Sequence, residues 1–257
     1  MKLFRSFTKI INYKTLIVTV LSVVSTYLCY QYHLIAKFPD MIVGVAIVFP
    51  VVFTIGSAYN RRETALQKLS DFKGHAVAIF FATKDWHGNA PSDLHSRIRN
   101  QIHDMLVLMR DMFKVNSKNS WLDYEKKMYA HFSQLSKLTL ELRTLGVQSG
   151  EISRVSQYVS KMIIAFDSMK IFHAYRTPVT LRAYSKVFLY IFPIVYGPYF
   201  ASTVADYSAS LEYVMPVLYS FILVSLDNIQ DHLENPFDEV GEDDIIIEAE
   251  ETTQLLS

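Results

Sequence analysis

Cysteine is nearly absent from the 257 residues: Cys29 stands alone, so no intramolecular disulfide is available and a disulfide-built scaffold is excluded. Eight glycines are scattered singly, which leaves no Gly-rich loop to cradle a phosphate and no collagen-like or low-complexity segment. Charge is scarce as well, at 19 % against about 25 % in globular chains. The 25 basic and 25 acidic residues cancel, so no net field draws the chain to nucleic acid, and no nucleic-acid partner is expected. What replaces charge is apolar surface, 51 % of all residues, and a chain of that composition is not disordered.

The missing charges are missing in blocks. Between Lys14 and Lys37 lie 22 residues without Asp, Glu, Lys or Arg; between Asp40 and Arg61 lie 20, and between Lys186 and Asp206 lie 19. From Asp206 to Asp227 only Glu212 interrupts a run of 20. Elsewhere the longest such run is the 10 residues between Lys73 and Lys84. About 20 residues at roughly 1.5 Å rise cross a hydrocarbon core of about 30 Å. The runs read as four transmembrane helices, 15–35, 39–58, 185–202 and 209–230. The rival reading, buried helices of a soluble domain, calls for shorter elements. The first run also lacks a small-residue cleavage site, since Tyr27-Leu28-Cys29-Tyr30 stands where one belongs, so it reads as a retained helix and not a signal peptide.

Basic residues orient the spans. Four precede the first, 20 lie from Arg61 to Lys186, and the short links between paired spans hold only Lys37. The expectation is a multi-pass membrane protein, in the cell membrane by default, with both termini and the long middle section cytoplasmic. The chain then divides into a basic N-terminus (1–14), a first hairpin (15–58), a cytosolic helical region (59–184), a second hairpin (185–230) and a tail (231–257). Eleven of the 25 acids fall at or after Asp227 and no Lys or Arg follows Lys186, so the tail is acidic.

In the middle section apolar residues recur at three and four. Leu94, Ile98, Ile102, Met105, Met109 and Met112 make one stripe. Met128, Phe132, Leu135, Leu138, Leu142 and Leu145 make a second, and Ile152, Val155, Val159, Met162, Phe166 and Met169 a third. Each is an amphipathic helix in prospect, interrupted at His87–Pro91, Asn116-Ser117 and Gly146–Gly150, with Ser120 and Ser149 or Gly150 as candidate N-caps. No strand alternation is visible. The fold class is all-α: four transmembrane helices and a cytosolic helical bundle.

Candidate chemistry is thin. His87, His95 and His103 are spaced by eight with Pro91 between the first two, and no His-x₃-His pair or second cysteine supports a metal site. Asp227 and Asp231 share a helix face at i and i+4, where Mg²⁺ and a lipid phosphate would be the enzymatic reading. An acidic helix end leaving the membrane is the plainer one, and no catalytic residue is assigned. In the second run, Val45, Phe49 and Phe53 repeat at i+4 on one face of a helix that Pro50 interrupts; alone, such residues face lipid or pack.

The stretch Leu226-Asp227-Asn228-Ile229-Gln230-Asp231-His232-Leu233-Glu234-Asn235-Pro236-Phe237 resembles the end of the last transmembrane helix of bestrophins and their prokaryotic relatives, which runs into an Asn-Pro-Phe signature. Tyr59-Asn60-Arg61-Arg62-Glu63-Thr64-Ala65 looks like the segment after that family's second span. The layout matches over most of the chain, the motifs over about 25 residues. The resemblance implies a homopentamer around a central pore lined by the second helix, passing small anions such as chloride or bicarbonate. Its neck positions fall on Val45, Phe49 and Phe53, with valine in place of the outermost ring, and a second constriction falls among Val179, Thr180 and Leu181. The expected partners are further copies of the chain, permeating anions and the bilayer. No cofactor is required. Calcium at Asp238, Glu239, Glu242, Asp243 and Asp244 is the alternative, although Val240 and Gly241 break the animal register, and the bland expectation is a solvated tail, flexible from Glu248 to Ser257. Rival functions are a cation pathway of the same architecture, an enzyme on a lipid phosphate through Asp227 and Asp231, and a membrane-anchored scaffold.

Overall fold

A computed structural model describes residues 12–37, 40–86, 92–115, 117–175, 178–206, 213–239, 241 and 243–256. The helices are α1 (Tyr13–Gln31), α2 (Asp40–Asp85), α3 (Ser92–Lys114), α4 (Lys118–Leu140), α5 (Ser149–Ala174), α6 (Val179–Val195), α7 (Gly197–Asp206), α8 (Val214–Leu233) and α9 (Ala249–Gln254). No strand occurs among the described residues. They form two units, one from Met1–Asn60 with Arg176–Glu234 and one from Arg61–Tyr175 with Asn235–Ser257.

In the first unit α1 packs against α6, α7 and α8. Asn12 starts α1 with a capping box: its side-chain oxygen accepts the Lys14 and Thr15 amides at 3.0 and 3.3 Å, and Thr15 Oγ1 accepts the Asn12 amide at 3.3 Å. The apolar centre is small, built from Val18, Leu189, Phe192, Tyr196, Phe200, Leu223 and Val224. Around it the burial is inverted. Thr15, Ser22, Thr26, Ser185, Ser202 and Ser220 are buried, whereas Leu16, Ile17, Val20, Ile191, Leu218 and Ile222 stand exposed. Water would drive those side chains inward, so this surface is suited to hydrocarbon, with small residues left to the helix contacts.

The run expected as one helix over 185–202 is instead two, with a turn at Tyr196. Pro193 sits inside α6 and Pro198 at the start of α7, and each lacks the amide that would continue the ladder. Loss of the Pro198 donor leaves the Ile194 carbonyl without its i+4 partner, and the Ser25 hydroxyl donates to it at 3.1 Å. By length and apolarity, Tyr13–Gln31 is the one helix among the described residues sufficient by itself to cross a bilayer.

The second unit is conventional. Every residue of the first and third stripes is buried in one core with Leu69, Phe72, Ala76 and Ile79 of α2; of the second stripe only Leu145 is partly exposed. The helix after the second apolar run continues unbroken to Asp85, so α2 is 46 residues long. Helix α4 starts three residues earlier than Ser120 suggests, with Ser117 at its N-cap, and Gln148 caps α5. After α4 a 3₁₀ turn, Glu141–Arg143, leads to Gly146 at φ 79°, where the Gly146 and Val147 amides return to Arg143 and Leu142 at 3.3 and 3.2 Å in a Schellman closure. Between α4 and α5, Lys170 meets Glu125 at 2.5 Å, Asp167 at 2.8 Å and the Tyr129 hydroxyl at 3.0 Å. Burial works against its charge, but those acceptors outweigh it and hold its pKa above the ordinary lysine value.

The tail differs most from expectation. Ile245, Ile247, Ala249 and Leu256 are buried in the second unit's core, and residues 249–254 form α9 against α3. Its acids are spent locally: Glu239 pairs with Lys114 at 2.8 Å and Glu250 with Arg110 at 3.5 Å. Alternate isoleucines and an alanine supply enough apolar burial to order a segment whose charge count alone suggests solvation.

The contact between α7 and α1 is testable. A Cβ on Gly197 would lie 2.2 Å from Ser25 Oγ and 3.1 Å from the Ser25 carbonyl carbon. Gly197→Ala is expected to lower stability by about 1–3 kcal/mol, read as a fall in thermal midpoint in detergent. Adding Ser25→Gly should recover part of the loss, because it removes the hydroxyl but not the backbone clash.

Candidate functional site: an exposed aromatic stripe and a charged helix end

Within α2 the faces are sharply divided. Val51, Thr54 and Ala58 are buried, and Thr54 donates its hydroxyl to the Val51 carbonyl at 2.8 Å. Roughly opposite, Val45, Phe49 and Phe53 are 57, 60 and 60 % exposed. The Phe49 and Phe53 rings sit 5.3 Å apart with planes inclined at 46°, one helical turn stacked on the next. Val48 and Val52 lie on the same exposed side, so the apolar face is broader than the three-residue stripe. No polar group interrupts it. Such a face neither hydrogen-bonds nor transfers protons; it can only exclude or admit water, and present ring edges of slight positive potential.

The second predicted constriction lies at the start of α6. Val179 is 70 % exposed, Thr180 is exposed and Leu181 is half-buried. Pro178 caps the helix through its carbonyl, which accepts the Leu181 and Arg182 amides at 3.0 and 3.2 Å.

Asp227 and Asp231 do share a face of α8, but an ammonium group fills the place between them. Lys14 Nζ lies 3.3 Å from Asp227 and 2.6 Å from Asp231, and Lys186 reaches Asp231 at 3.5 Å. One turn on, Arg182 pairs with Glu234 at 2.9 Å, and beside them Asn12 donates to Asn228 at 2.8 Å. Three cations thus meet three carboxylates where α1, α6 and α8 come together. A pair neutralised by lysine offers no open coordination to Mg²⁺, and the lipid-phosphate reading loses its only element. Sequence reasoning placed Lys14 among orienting basic residues and missed this role, since nothing local marks a partner more than 200 positions away.

In the second unit the Asn-Pro-Phe motif is structural. Asn235 donates to Asp238 at 2.9 Å, the Pro236 carbonyl accepts the Ile245 amide at 2.7 Å, and the Phe237 ring stacks on Phe113 at 4.6 Å. Phe113 also contacts Trp121, which stacks on His173 at 4.5 Å. Of the acids named for calcium, Asp244 accepts the Gly241 amide at 2.9 Å, Asp243 is exposed and gives its carbonyl to Arg62 at 2.6 Å, and Glu242 lies outside the described residues. Among the described residues no three His, Cys, Asp or Glu side chains are grouped to hold a metal ion.

This arrangement of helices is that of solved bestrophin homologues. A crystal structure of a bacterial bestrophin homologue from Klebsiella pneumoniae, in a singly substituted form, is 14 % identical with a TM-score of 0.75, over 95 % of this chain and 95 % of that one. Another substituted form from the same organism gives a TM-score of 0.76 at 14 % identity over the same shares. A further structure, described as a membrane protein, gives 0.75 at 14 % over 95 % of this chain and 94 % of its own. No family model and no curated protein matches the sequence. The chain therefore has the bestrophin-homologue fold.

The charged helix end yields a prediction. Lys14→Met leaves two carboxylates facing each other with only Lys186 near, and Asp227 is 4 % exposed. The expected loss is about 3 kcal/mol or more, measured by chemical unfolding in detergent, and Asp227→Asn in the same chain should return most of it.

Proposed function

We propose that this chain is one subunit of a bestrophin-type channel, a passive conduit for small anions such as chloride and bicarbonate, and not an enzyme. The observation that carries the reading is the exposed Val45–Phe49–Phe53 face on a chain whose fold is shared with bestrophin homologues over 95 % of its length. A single copy encloses no path, because its helices bury their few polar groups and expose apolar ones. Five copies with α2 of each facing a common axis would bring that stripe into a hydrophobic neck, with phenylalanine edges at two levels and the shorter Val45 at the outermost. Val179, Thr180 and Leu181 are the proposed second constriction.

Such a neck gates by wetting, since a short apolar passage without hydrogen-bonding groups holds water only marginally. It passes an anion more readily than a cation, because ring edges favour negative charge and an anion gives up hydration less reluctantly there. Four spans, in a cell membrane with both termini on the cytoplasmic side, follow from the charge-free runs and the basic residues that flank them. The acidic tail gives no support to a cation pathway, since several of its carboxylates are paired with lysine or arginine in their own unit.

Two measurements test the proposal. The detergent-corrected mass should be near five subunits, and a monomer would leave no pore. Purified protein in planar bilayers should give currents whose reversal potential in asymmetric salt follows chloride. Phe49→Ala and Phe53→Ala should each raise that current several-fold by widening and wetting the neck. Cation-following reversal potentials, with both alanine variants unchanged, would refute the assignment.

A further inference from the structure

The second unit keeps its charges at its margin and its apolar residues inside, yet two apolar patches on it are left uncovered. One is the outer face of α5, where Ile164, Ile171 and Tyr175 recur at i, i+7 and i+11 and are each more than half exposed. At about 100° per residue they share one narrow sector of the helix, away from the buried stripe that begins at Ile152. Lys161 stands at the edge of that sector, exposed and without an ion pair among the described residues. The other patch is a cleft of about 660 Å³ between α2 and the tail, walled by Leu66, Val77, Ile246 and Leu255. Of these Leu66, Ile246 and Leu255 are exposed. The rim of the cleft carries an excess of acid. Glu251 sits against Glu248, and its hydrogen bond and repulsion hold the Glu248 carboxyl above the ordinary range, against the pull of Lys73.

The two patches lie on opposite flanks of α2. Arg61 donates to the Phe172 carbonyl at 2.7 Å, and His75 stacks on Tyr158 with ring centroids 5.9 Å apart, so α5 runs along one side. Arg62 donates to the Asp243 carbonyl at 2.6 Å, and Leu66, Lys73 and Val77 line the cleft, so the tail runs along the other. The helical repeat sends Arg61 and His75 to the side away from Leu66 and Lys73. Identical copies turned about one axis need this arrangement: two unlike surfaces on opposite flanks of the subunit, each complementary to the other. Here both surfaces are apolar at their centres, and the unpaired cation at the edge of one matches the excess of acid on the other. A two-fold pair through α5 would instead bring Lys161 toward its own copy.

We infer that the outer face of α5 in one copy docks into the cleft between α2 and the tail of the next copy, so that the second units close a ring through unlike surfaces. The inference rests on the assembly proposed above and adds the surfaces that join its copies. Cysteine pairs test it, since Cys29 is the only native thiol and is buried. Full-length protein in detergent carrying both Ile171→Cys and Leu255→Cys, treated with a short bis-maleimide, should give a ladder of covalent species that ends at five subunits on a denaturing gel. Each single variant should stay at the size of the parent. Dimers from Ile171→Cys alone would mean that like face meets like face, and would overturn the docking. A detergent-corrected mass, taken on the same samples before linking, keeps the two readings apart. Five subunits with no ladder would leave the ring standing and overturn this interface, whereas a monomer would overturn both.

Discussion

A stretch of about twenty residues without a charge is poorly suited to water, and this chain contains three such runs and a fourth that only Glu212 interrupts. The inverted burial of the first unit follows from that constraint. Valine, leucine and isoleucine are turned outward, and serine and threonine face neighbouring helices, where hydroxyls can return their protons to backbone carbonyls, as Thr26 does to Ser22 at 2.9 Å. Hydrocarbon supplies no gain from burying apolar side chains, so the contacts between helices have to come from close approach. Gly197 against Ser25 and Cys29 is the clearest case, a place where any side chain would force the helices apart.

Close approach alone does not fix which helices meet, and the charged helix end supplies that specificity. Six ionisable groups from α1, α6 and α8 converge there, with Asn12 both capping α1 and reaching Asn228. Each group is costly to bury and cheap only in the presence of the others, so a wrong pairing of helices would strand at least one. The same logic in the second unit takes aqueous form. Its core is apolar and continuous, and its charges sit at the margin, where pairs such as Arg97 with Glu141 add little stability and mainly set register.

Much of this was legible because period and charge are local signals. The stripe from Leu94 to Met112 is buried residue by residue as its spacing requires, and so is the stripe from Ile152 to Met169. The break between α3 and α4 and the turn at Gly146–Gly150 were legible too, the second through a glycine free to adopt positive φ, while Asn116 itself lies outside the described residues. What escaped was whatever depends on a distant partner or on two competing local signals. The tail reads as solvated when its acids are counted, and as packed only when Ile245 and Ile247 are seen to alternate toward a surface the sequence does not display. Helix α2 offers no stop signal near Asn60, and its continuation to Asp85 is the absence of a break, which is harder to read than a break. Lys14 looks like any basic residue before a span until α8 brings Asp227 and Asp231 beside it.

The aromatic stripe stands between these cases, and the reason bears on how such a fold persists at 14 % identity. Spacing at i+4 establishes that Val45, Phe49 and Phe53 share a face, and the structure of the single chain leaves those three side chains exposed. Neither says what covers it, because lipid and a pore axis make the same local demand for apolar, chemically inert side chains. A face under that demand accepts valine or phenylalanine alike, since either is apolar and inert. The polar contacts tolerate far less. In this chain the pattern of charged and uncharged blocks, the proline-freed carbonyl at Ile194 and the salt-bridged helix end hold the helices of the first unit in their arrangement. Selectivity in such an assembly would reside in the width and wetting of an apolar ring, a property of several copies together that no single chain's chemistry spells out.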